Sequence, residues 1–268
     1  MPTHVDLYDN AYAKVEHDLY REVRTETYGH DLGQTSWVSI DESNFIPVLL
    51  NLTSDTSALE IGCGSGLYAL HLAKRFDCRI TGLDLNPHGI GSATQLAAAT
   101  GLDTVAQFQQ CDASEPLPFD DSIFDAAFSN DALCHISARP TLLKEIFRVL
   151  RPGARLLFSD ALILGGIVSH EELATRSSIG PYFFSPPGEN ERLLAAAGFS
   201  LLSTTDTSEQ AALIAQRWHD ARERRRHRLI TLEGPDRFDG LQRFLGCVHT
   251  LTSERRLLRH LYLEKPRA

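Results

Sequence analysis

From residue 58 to residue 160, apolar runs with strand character alternate with amphipathic runs of helical period. The runs ALEIG, RITGLDL, VAQFQQCD, FDAAFSNDA and ARLLFSDAL are typical of strands, and segments such as GLYALHLAKRF and TLLKEIFRVLRPG are typical of helices. Strands joined through helices form right-handed crossovers. The alternation therefore predicts a mostly parallel sheet that is covered by helices on both faces.

Further elements flank this alternating region. GENERLLAAAGFSLLSTTDT indicates one more helix and strand, and RRLLRHLYLEKP indicates a last strand. YAKVEHDLYREVRTETYG and FIPVLLNL predict two helices ahead of the sheet. The expected fold is α/β, a Rossmann-like seven-stranded, mostly parallel sheet with N-terminal helices and a helical insertion before the last strand.

This pattern divides the chain into four segments. We expect an N-terminal helical cap over residues 1–57, a cofactor-binding core over residues 58–208, a helical insertion over residues 209–256 and the final strand of the core over residues 257–268. Open α/β sheets bind ligands beyond the carboxyl ends of their strands. The insertion is expected beside those ends, as the cover of a substrate pocket.

Composition disfavours several classes of protein. The net charge of -9 lacks the positive excess that nucleic-acid binding requires. Five cysteines without a CxxC pair indicate a reduced intracellular protein rather than a disulfide framework or a zinc site. The N-terminus lacks a signal-peptide pattern, and the longest apolar stretch, ALILGGIV, is too short to span a bilayer. We expect a cytoplasmic protein without nucleic-acid or membrane partners.

The stretch LEIGCGSGL places three glycines between the first strand and its helix. Gly62, Gly64 and Gly66 are evenly spaced, and Leu67 stands where the dinucleotide fingerprint has its third glycine. No Lys-Ser or Lys-Thr pair follows, so the pattern of an ATP-binding P-loop is absent as well. Glu60 would repel a phosphate but can orient amides and waters around a cation. The loop therefore fits a nucleoside without phosphates.

Polar residues also follow the next three strands. Asp84, in GLDLN, can accept hydrogen bonds from both ribose hydroxyls, although NAD enzymes use an acid in the same way. Asp112, in CDA, can accept a hydrogen bond from an adenine amino group, and Asn130 ends the fourth strand. The alternative for the two acids is a helix cap or a local turn. Their recurrence at successive strand ends favours one nucleoside site.

In this combination of motifs, the sequence resembles the class I S-adenosylmethionine-dependent methyltransferases over roughly residues 58–160. It is similar in particular to bacterial enzymes that act on glycine-derived amines, sugar acids and natural products. The resemblance implies S-adenosyl-L-methionine as cofactor, with the turn YGHDLGQTSW folded over its methionine end. It implies these cofactor-binding residues: Tyr28, Gln34, Trp37, Glu60, Gly62, Gly64, Asp84, Leu85, Asp112, Ala113 and Asn130. Tyr28 and Trp37 have the alternative of anchoring a helix on the core.

Three side chains near the ends of the fourth and fifth strands are candidates for catalysis. His135, in NDALCHI, has an ordinary pKa near working pH, as a general base requires. Asp160, in FSDAL, is expected to orient that histidine, to bind substrate or to act as base, and Asp131 is a further candidate. The alternatives are a packing histidine and a turn acid. No zinc-like spacing is present, and we predict no metal.

The predicted function is methyl transfer from S-adenosyl-L-methionine to an oxygen or nitrogen of a small polar metabolite or natural product. The alternative is a non-catalytic binding module, or a partner subunit, that keeps the nucleoside pocket. An NAD-dependent reductase is disfavoured by the glycine spacing. The expected partner is a small-molecule acceptor, and a homodimer is left open. The basic run ARERRRHR, residues 221–228, indicates a solvated helix face.

Overall fold

The computed structural model describes residues 5–266, in which a seven-stranded sheet lies between two layers of helices. The strands are β1 (Ser57–Ile61), β2 (Arg79–Asp84), β3 (Ala106–Gln110), β4 (Phe124–Ser129), β5 (Leu150–Leu164), β6 (Phe199–Asp206) and β7 (Leu257–Pro266). Their order in the sheet is β3-β2-β1-β4-β5-β7-β6. Only β7 runs antiparallel to its neighbours, so the predicted seven-stranded, mostly parallel sheet is confirmed.

Helices precede the sheet, connect its strands and form the insertion before β7. They are α1 (Tyr8–Ala13), α2 (Asp18–Tyr28), α3 (Ile40–Leu49), α4 (Leu67–Phe76), α5 (Pro87–Thr100), α6 (Arg139–Val149), α7 (His170–Arg176), α8 (Glu189–Ala197), α9 (Ser208–Glu223), α10 (Arg226–Glu233) and α11 (Pro235–Ser253), with a 3₁₀ turn at Leu133–His135. No helix within residues 5–266 combines the length and the apolarity needed to cross a bilayer.

The N-terminal region has one more helix than predicted. The pattern YAKVEHDLYREVRTETYG predicted a single helix, but α1 ends at Ala13 and α2 begins at Asp18. The reason is a cap, because the His17 ring nitrogen Nδ1 accepts a hydrogen bond from the Leu19 backbone N–H at 3.2 Å. Because of this break, α1 does not continue α2. The α1 side chains Tyr8 and Tyr12 lie at the carboxyl ends of the strands.

Apolar side chains form a core on each face of the sheet and a separate core away from it. Helices α3, α4 and α5 cover one face with residues such as Ile46 and Leu72, and α6 and α8 cover the other with Leu142 and Leu194. The third core joins α2 to α9 and α11 and contains the Trp218 side chain. The helical insertion therefore packs on the N-terminal helices.

The basic run 221–228 contributes to that packing. Arg224 pairs with Glu26 of α2, and Arg225 pairs with both Glu22 and Glu26. Arg228 also pairs with Glu22, at 2.8 Å. The run is largely exposed, as predicted, with Arg224 and Arg228 each 58% exposed, and its charges pair with acids of α2.

Candidate active site

A cavity of about 560 Å³ opens at the carboxyl ends of the parallel strands. Its walls come from the N-terminal segment, the glycine loop after β1, the ends of β2, β3 and β4, and residues 179–181. Ile61 of β1 lies beside Leu83 of β2, so the glycine loop and Asp84 leave the sheet next to one another. The topology therefore brings together motifs that are tens of residues apart in the sequence.

Most of the predicted site residues line this cavity. Those that do are Gln34, Glu60, Gly62, Gly64, Asp84, Leu85, Asp112, Ala113, Asn130, Asp131 and His135. Tyr28, Trp37 and Asp160 do not belong to its lining. The residues of α9, α10 and α11 do not line it either, as far as residues 5–266 are concerned, although the insertion was expected to cover the pocket.

The glycine loop and Asp84 form one hydrogen-bonded unit. The Gly64 backbone N–H donates to Oδ2 of Asp84 at 2.8 Å, and the Asn86 N–H donates to its Oδ1 at the same distance. A Cβ atom added to Gly64 would stand 2.9 Å from the Tyr12 hydroxyl, because α1 lies directly on the loop. Asp84 keeps oxygen lone pairs for a ligand, since neither oxygen is paired with a cation within the described residues.

Two buried acceptors in the cavity wall lack a partner among residues 5–266. They are Oε2 of Glu60 and Oδ1 of Asn130. Burial, reinforced by the nearby Asp84, raises the pKa of Glu60 to about 8. Unpartnered acceptors and acids favour a ligand that carries positive charge, hydroxyl donors and amino donors. The sulfonium, ammonium, ribose and adenine groups of S-adenosyl-L-methionine fit this set.

His135 lies at the cavity wall, and both of its ring nitrogens have a hydrogen-bond partner. Its Nδ1 lies 2.9 Å from the Pro181 carbonyl oxygen, which can only accept, so Nδ1 carries the proton. Its Nε2 lies 3.0 Å from the Tyr8 hydroxyl, which therefore donates to it. Burial lowers the pKa of His135 to about 4, and the Tyr182 ring stacks 4.2 Å away between centroids. The imidazole is held neutral, with Nε2 as its basic atom.

The sequence analysis missed Tyr8 and Tyr12 of α1. Both line the cavity, Tyr8 against His135 and Tyr12 against the glycine loop. Burial raises the pKa of each hydroxyl above its ordinary value, so both remain phenols. The available signal was a pair of tyrosines one helical turn apart in an otherwise polar segment.

Asp131 lines the cavity, but its carboxylate is occupied by other parts of the chain. Its Oδ1 accepts from Arg259 Nε at 2.9 Å and from the Ser159 hydroxyl at 2.8 Å. Its Oδ2 accepts from the Trp37 backbone N–H at 2.8 Å. Its backbone has a φ of 56°, in the left-handed region. Asp131 is thus a buried junction between the N-terminal segment and the strand ends.

Trp37 and Tyr28 do not line the cavity, but they hold in place the segment between α2 and α3, which covers it. The Trp37 ring packs on Trp218 and Phe244 at 6.0 and 6.2 Å between centroids. The Tyr28 hydroxyl donates to the Ser36 carbonyl at 2.8 Å. Both therefore fix the backbone between α2 and α3, from which Gln34 reaches the cavity.

Asp160 lies inside the fold. The strand β5 continues to Leu164, so Asp160 is an interior strand residue instead of a strand-end residue. It is fully buried and pairs with Arg139 at 2.8 Å. Ser185 and Asn190 also donate to its Oδ2, at 3.2 and 2.9 Å. The structure places this acid between β5 and the helices α6 and α8, where it does not meet His135.

The segments next to His135 bring both apolar and acidic side chains to the cavity. Leu7, Ile136, Ile179 and Pro181 are apolar, and Asp6 and Asp9 flank Leu7 and Tyr8. No lysine or arginine lines the cavity anywhere in the part of the chain that the structure describes. Arg176 is buried 4.4 Å from the centroid of the Tyr182 ring, but it stays outside the lining.

Comparisons with known proteins agree with this site. Residues 59–158 match the model of a methyltransferase domain family. The chain is 33% identical over 158 residues to the O-methyltransferase rstn1 of Aspergillus nomiae, a match that covers 59% of this chain and 70% of rstn1. The matches to three further relatives cover 38% to 60% of the length of those relatives.

Solved structures share the fold. Phosphoethanolamine N-methyltransferase 2 of Haemonchus contortus superposes with a TM-score of 0.80 at 18% identity, over 98% of this chain and 61% of that one. The cyclase SpnF superposes with a TM-score of 0.72 at 22% identity, over 98% of both chains. The sequence match, the sheet order and the acceptor-lined cavity agree with one another. The chain therefore belongs to the class I S-adenosyl-L-methionine-dependent methyltransferases that act on small molecules, and S-adenosyl-L-methionine is its cofactor.

Proposed function

We propose that the chain methylates a hydroxyl oxygen of an uncharged, largely apolar small molecule, with His135 as the general base. The observation that carries this proposal is the neutral imidazole at the cavity wall, whose Nδ1 is fixed on the Pro181 carbonyl and whose Nε2 faces the Tyr8 hydroxyl. A hydroxyl acceptor loses a proton on methylation, so a positioned base accelerates the reaction.

When bound, the cofactor supplies a methyl group that the positive charge on sulfur activates. The chain's main contributions are alignment of the acceptor and exclusion of water. Because the Tyr8 hydroxyl donates to the one lone pair of His135 Nε2, the proton of the acceptor hydroxyl passes to the Tyr8 oxygen while the Tyr8 proton moves to Nε2. This relay occurs as the acceptor oxygen forms its bond to the methyl carbon. That oxygen becomes strongly acidic as it gains the third bond, so a base with a pKa of about 4 is sufficient. The Tyr8 hydroxyl holds the imidazole at the wall.

The charges of the cavity support an oxygen acceptor without a phosphate. A phosphorylated acceptor calls for lysine or arginine, and none lines the cavity among residues 5–266. A substituted ammonium calls for a free, buried carboxylate beside the acceptor. Asp131 is paired with Arg259 and Asp6 with Arg237. Asp9 is exposed and accepts from Asn86. Of the two methyltransferases compared above, rstn1 is named for O-methylation and the Haemonchus contortus enzyme for a phosphoethanolamine. The cavity is suited to the first kind of acceptor.

The test is transfer of labelled methyl from S-adenosyl-L-methionine to a panel of acceptors. We expect label on the oxygen of apolar phenols or alcohols, and none on phosphoethanolamine or glycine. His135→Ala should lower kcat by about 10²- to 10⁴-fold, with cofactor affinity unchanged in calorimetry. His88→Ala, which changes an exposed histidine of α5 outside the cavity lining, is the matched control.

The pH profile adds a second criterion. Because the pKa of His135 is lowered to about 4, the imidazole stays unprotonated from neutral pH down to about that value. We expect kcat/KM to hold between pH 7 and 5.5, where an exposed histidine would already be protonated. Label on the nitrogen of phosphoethanolamine, or unchanged turnover in His135→Ala, would contradict the proposal.

A further inference from the structure

Helix α1 has two faces with different contacts. Tyr8 and Tyr12, one turn apart, point to the cavity, where they meet His135 and the glycine loop. Asn10, midway between them, is buried but does not line the cavity. The helix has only six residues, so contacts with its surroundings must hold it in place.

A chain of side chains runs from Asn10 into the helical insertion. Asn10 Nδ2 donates to the Tyr20 hydroxyl of α2 at 2.5 Å. The Tyr20 hydroxyl donates to Oε2 of Glu233 at 2.9 Å. Oε1 of Glu233, at the end of α10, pairs with Arg222 of α9. Helices α2, α9 and α10 thus connect to α1 through this line of polar atoms. A second link joins α1 to α11, because Asp6 accepts from the Asn10 backbone N–H at 3.3 Å and from Arg237 at 2.8 Å.

This chain is buried and its direction is fixed. The Arg222 and Glu233 side chains are 3% and 0% exposed, so their charges depend on each other. A phenol has one proton, and Tyr20 gives it to Glu233, so its oxygen must accept from the Asn10 amide. Removal of one link leaves a buried polar group without its partner, which costs free energy in the folded state.

We propose that the chain Arg222–Glu233–Tyr20–Asn10 positions helix α1, and with it Tyr8, against His135. Tyr20 and Glu233 are then positioning residues for methyl transfer, although neither lines the cavity. The helical insertion thereby influences the reaction through its contacts with the N-terminal helices, although it does not line the cavity. The kinetic consequence rests on the proposed function of His135, whereas the placement of α1 does not.

The first arm of the test needs no acceptor. Amide hydrogen exchange of residues 11–14 is compared in the unmodified protein, Tyr20→Phe and Asn10→Ala. Asn10→Ala removes only the last link and places a good helix former in α1, so it covers the case in which Tyr20→Phe does not fold. Tyr262→Phe, a buried tyrosine of the sheet core, is the control.

We expect exchange in α1 to accelerate at least tenfold in Tyr20→Phe and Asn10→Ala, with α4 and α6 unchanged. NMR titration should also show the pKa of His135 moving up from about 4 toward its ordinary value, because water reaches the imidazole when α1 opens. Unchanged exchange in α1 together with an unchanged titration would overturn the inference.

The second arm uses kcat for an accepted hydroxyl substrate. We expect Tyr20→Phe to lower kcat about tenfold to a hundredfold, as misplacement of a group near the reaction does. In a Tyr8→Phe background, Tyr20→Phe should have little further effect, whereas general destabilisation would give additive losses. Additive losses would overturn the positioning role. If no hydroxyl acceptor is methylated but α1 exchange accelerates, the proposed function fails and the positioning of α1 stands.

Discussion

Four acids that the sequence places in or just after the strands form two groups that the sequence does not distinguish. Glu60 and Asp84 face the cavity without a cationic partner among residues 5–266. Asp131 and Asp160 are paired with the buried arginines Arg259 and Arg139. The first group is available to a ligand, and the second holds the fold together. The role of an acid here is set by its partner and not by its position on a strand.

The largest expected effect tests the structural group. Asp160→Ala removes the only carboxylate that pairs with Arg139 in the described structure, and leaves a buried guanidinium without its counter-charge. We expect the free energy of unfolding to fall by about 3–5 kcal/mol, measured by urea denaturation. Asp160→Leu combined with Arg139→Met should recover most of that loss, because both charges are then gone. A loss below 1 kcal/mol in Asp160→Ala would show that the two groups of acids are not distinct.

An intermediate effect tests the ligand-binding group. Asp84→Asn keeps the size of the side chain but removes its charge from the position predicted to bind the ribose. We expect cofactor affinity in calorimetry to fall by about 1.5–3 kcal/mol. Stability should change far less than in Asp160→Ala, because burial already raises the pKa of Asp84 and opposes its charge in the free protein. Unchanged affinity would place Asp84 with the structural acids.

The smallest expected effect is on the pH dependence of stability, and it comes from two buried acids, Glu60 and Glu264. Burial raises the pKa of each to about 8. Glu60 lies in the cavity, while Glu264 of β7 faces Glu191 of α8. Each binds a proton in the folded state between its ordinary pKa of 4.5 and about 8. Stability of the free protein should therefore fall as pH rises within this window. Over a single pH unit, which is the interval to compare, the fall is at most about 1.4 kcal/mol for each acid.

Substitution of each acid distinguishes the one that is expected to bind the cofactor from the one that is not. Glu60→Gln and Glu264→Gln should each remove one proton from the difference in proton binding between the folded and unfolded states. The slope of stability against pH, measured by thermal unfolding, should decrease accordingly. Only Glu60→Gln should change cofactor binding, because a bound cation favours the Glu60 carboxylate and binding then releases a proton below pH 8. Calorimetry in buffers of different ionisation enthalpy measures that proton. A binding-linked proton that persists in Glu60→Gln would assign it to another group.

The sequence was sufficient to predict the sheet and most of the cavity lining. Period and alternation predicted all seven strands, and the motifs at their ends lie around one cavity. Pairing between acids and distant arginines was beyond sequence reasoning, since Arg259 is 128 residues from Asp131. The role of β5 was also misjudged, because its strand continues past Asp160 and turns that acid into an interior residue.

The regions that the sequence described least well are the ones without a repeating pattern. Tyr8 and Tyr12 come from a six-residue helix, too short to give a periodic signal. The insertion was expected over the pocket, but an amphipathic helix reports only that one face is buried and not what covers it. In the structure that face meets α2 and Trp37.

Two glycines of the loop after β1 also determine how this chain can change during evolution. A Cβ atom on Gly62 would stand 2.3 Å from the Ala132 Cβ, and one on Gly66 would stand 2.5 Å from the Ala93 Cβ. These glycines are therefore required by the packing of the protein itself, whether or not a cofactor binds. A descendant that abandoned methyl transfer would keep Gly62 and Gly66 as long as it kept the fold, and would be free to lose Asp84, Glu60 and His135. Under the proposed function, the survival of those three side chains, rather than of the glycine motif, would mark an active lineage.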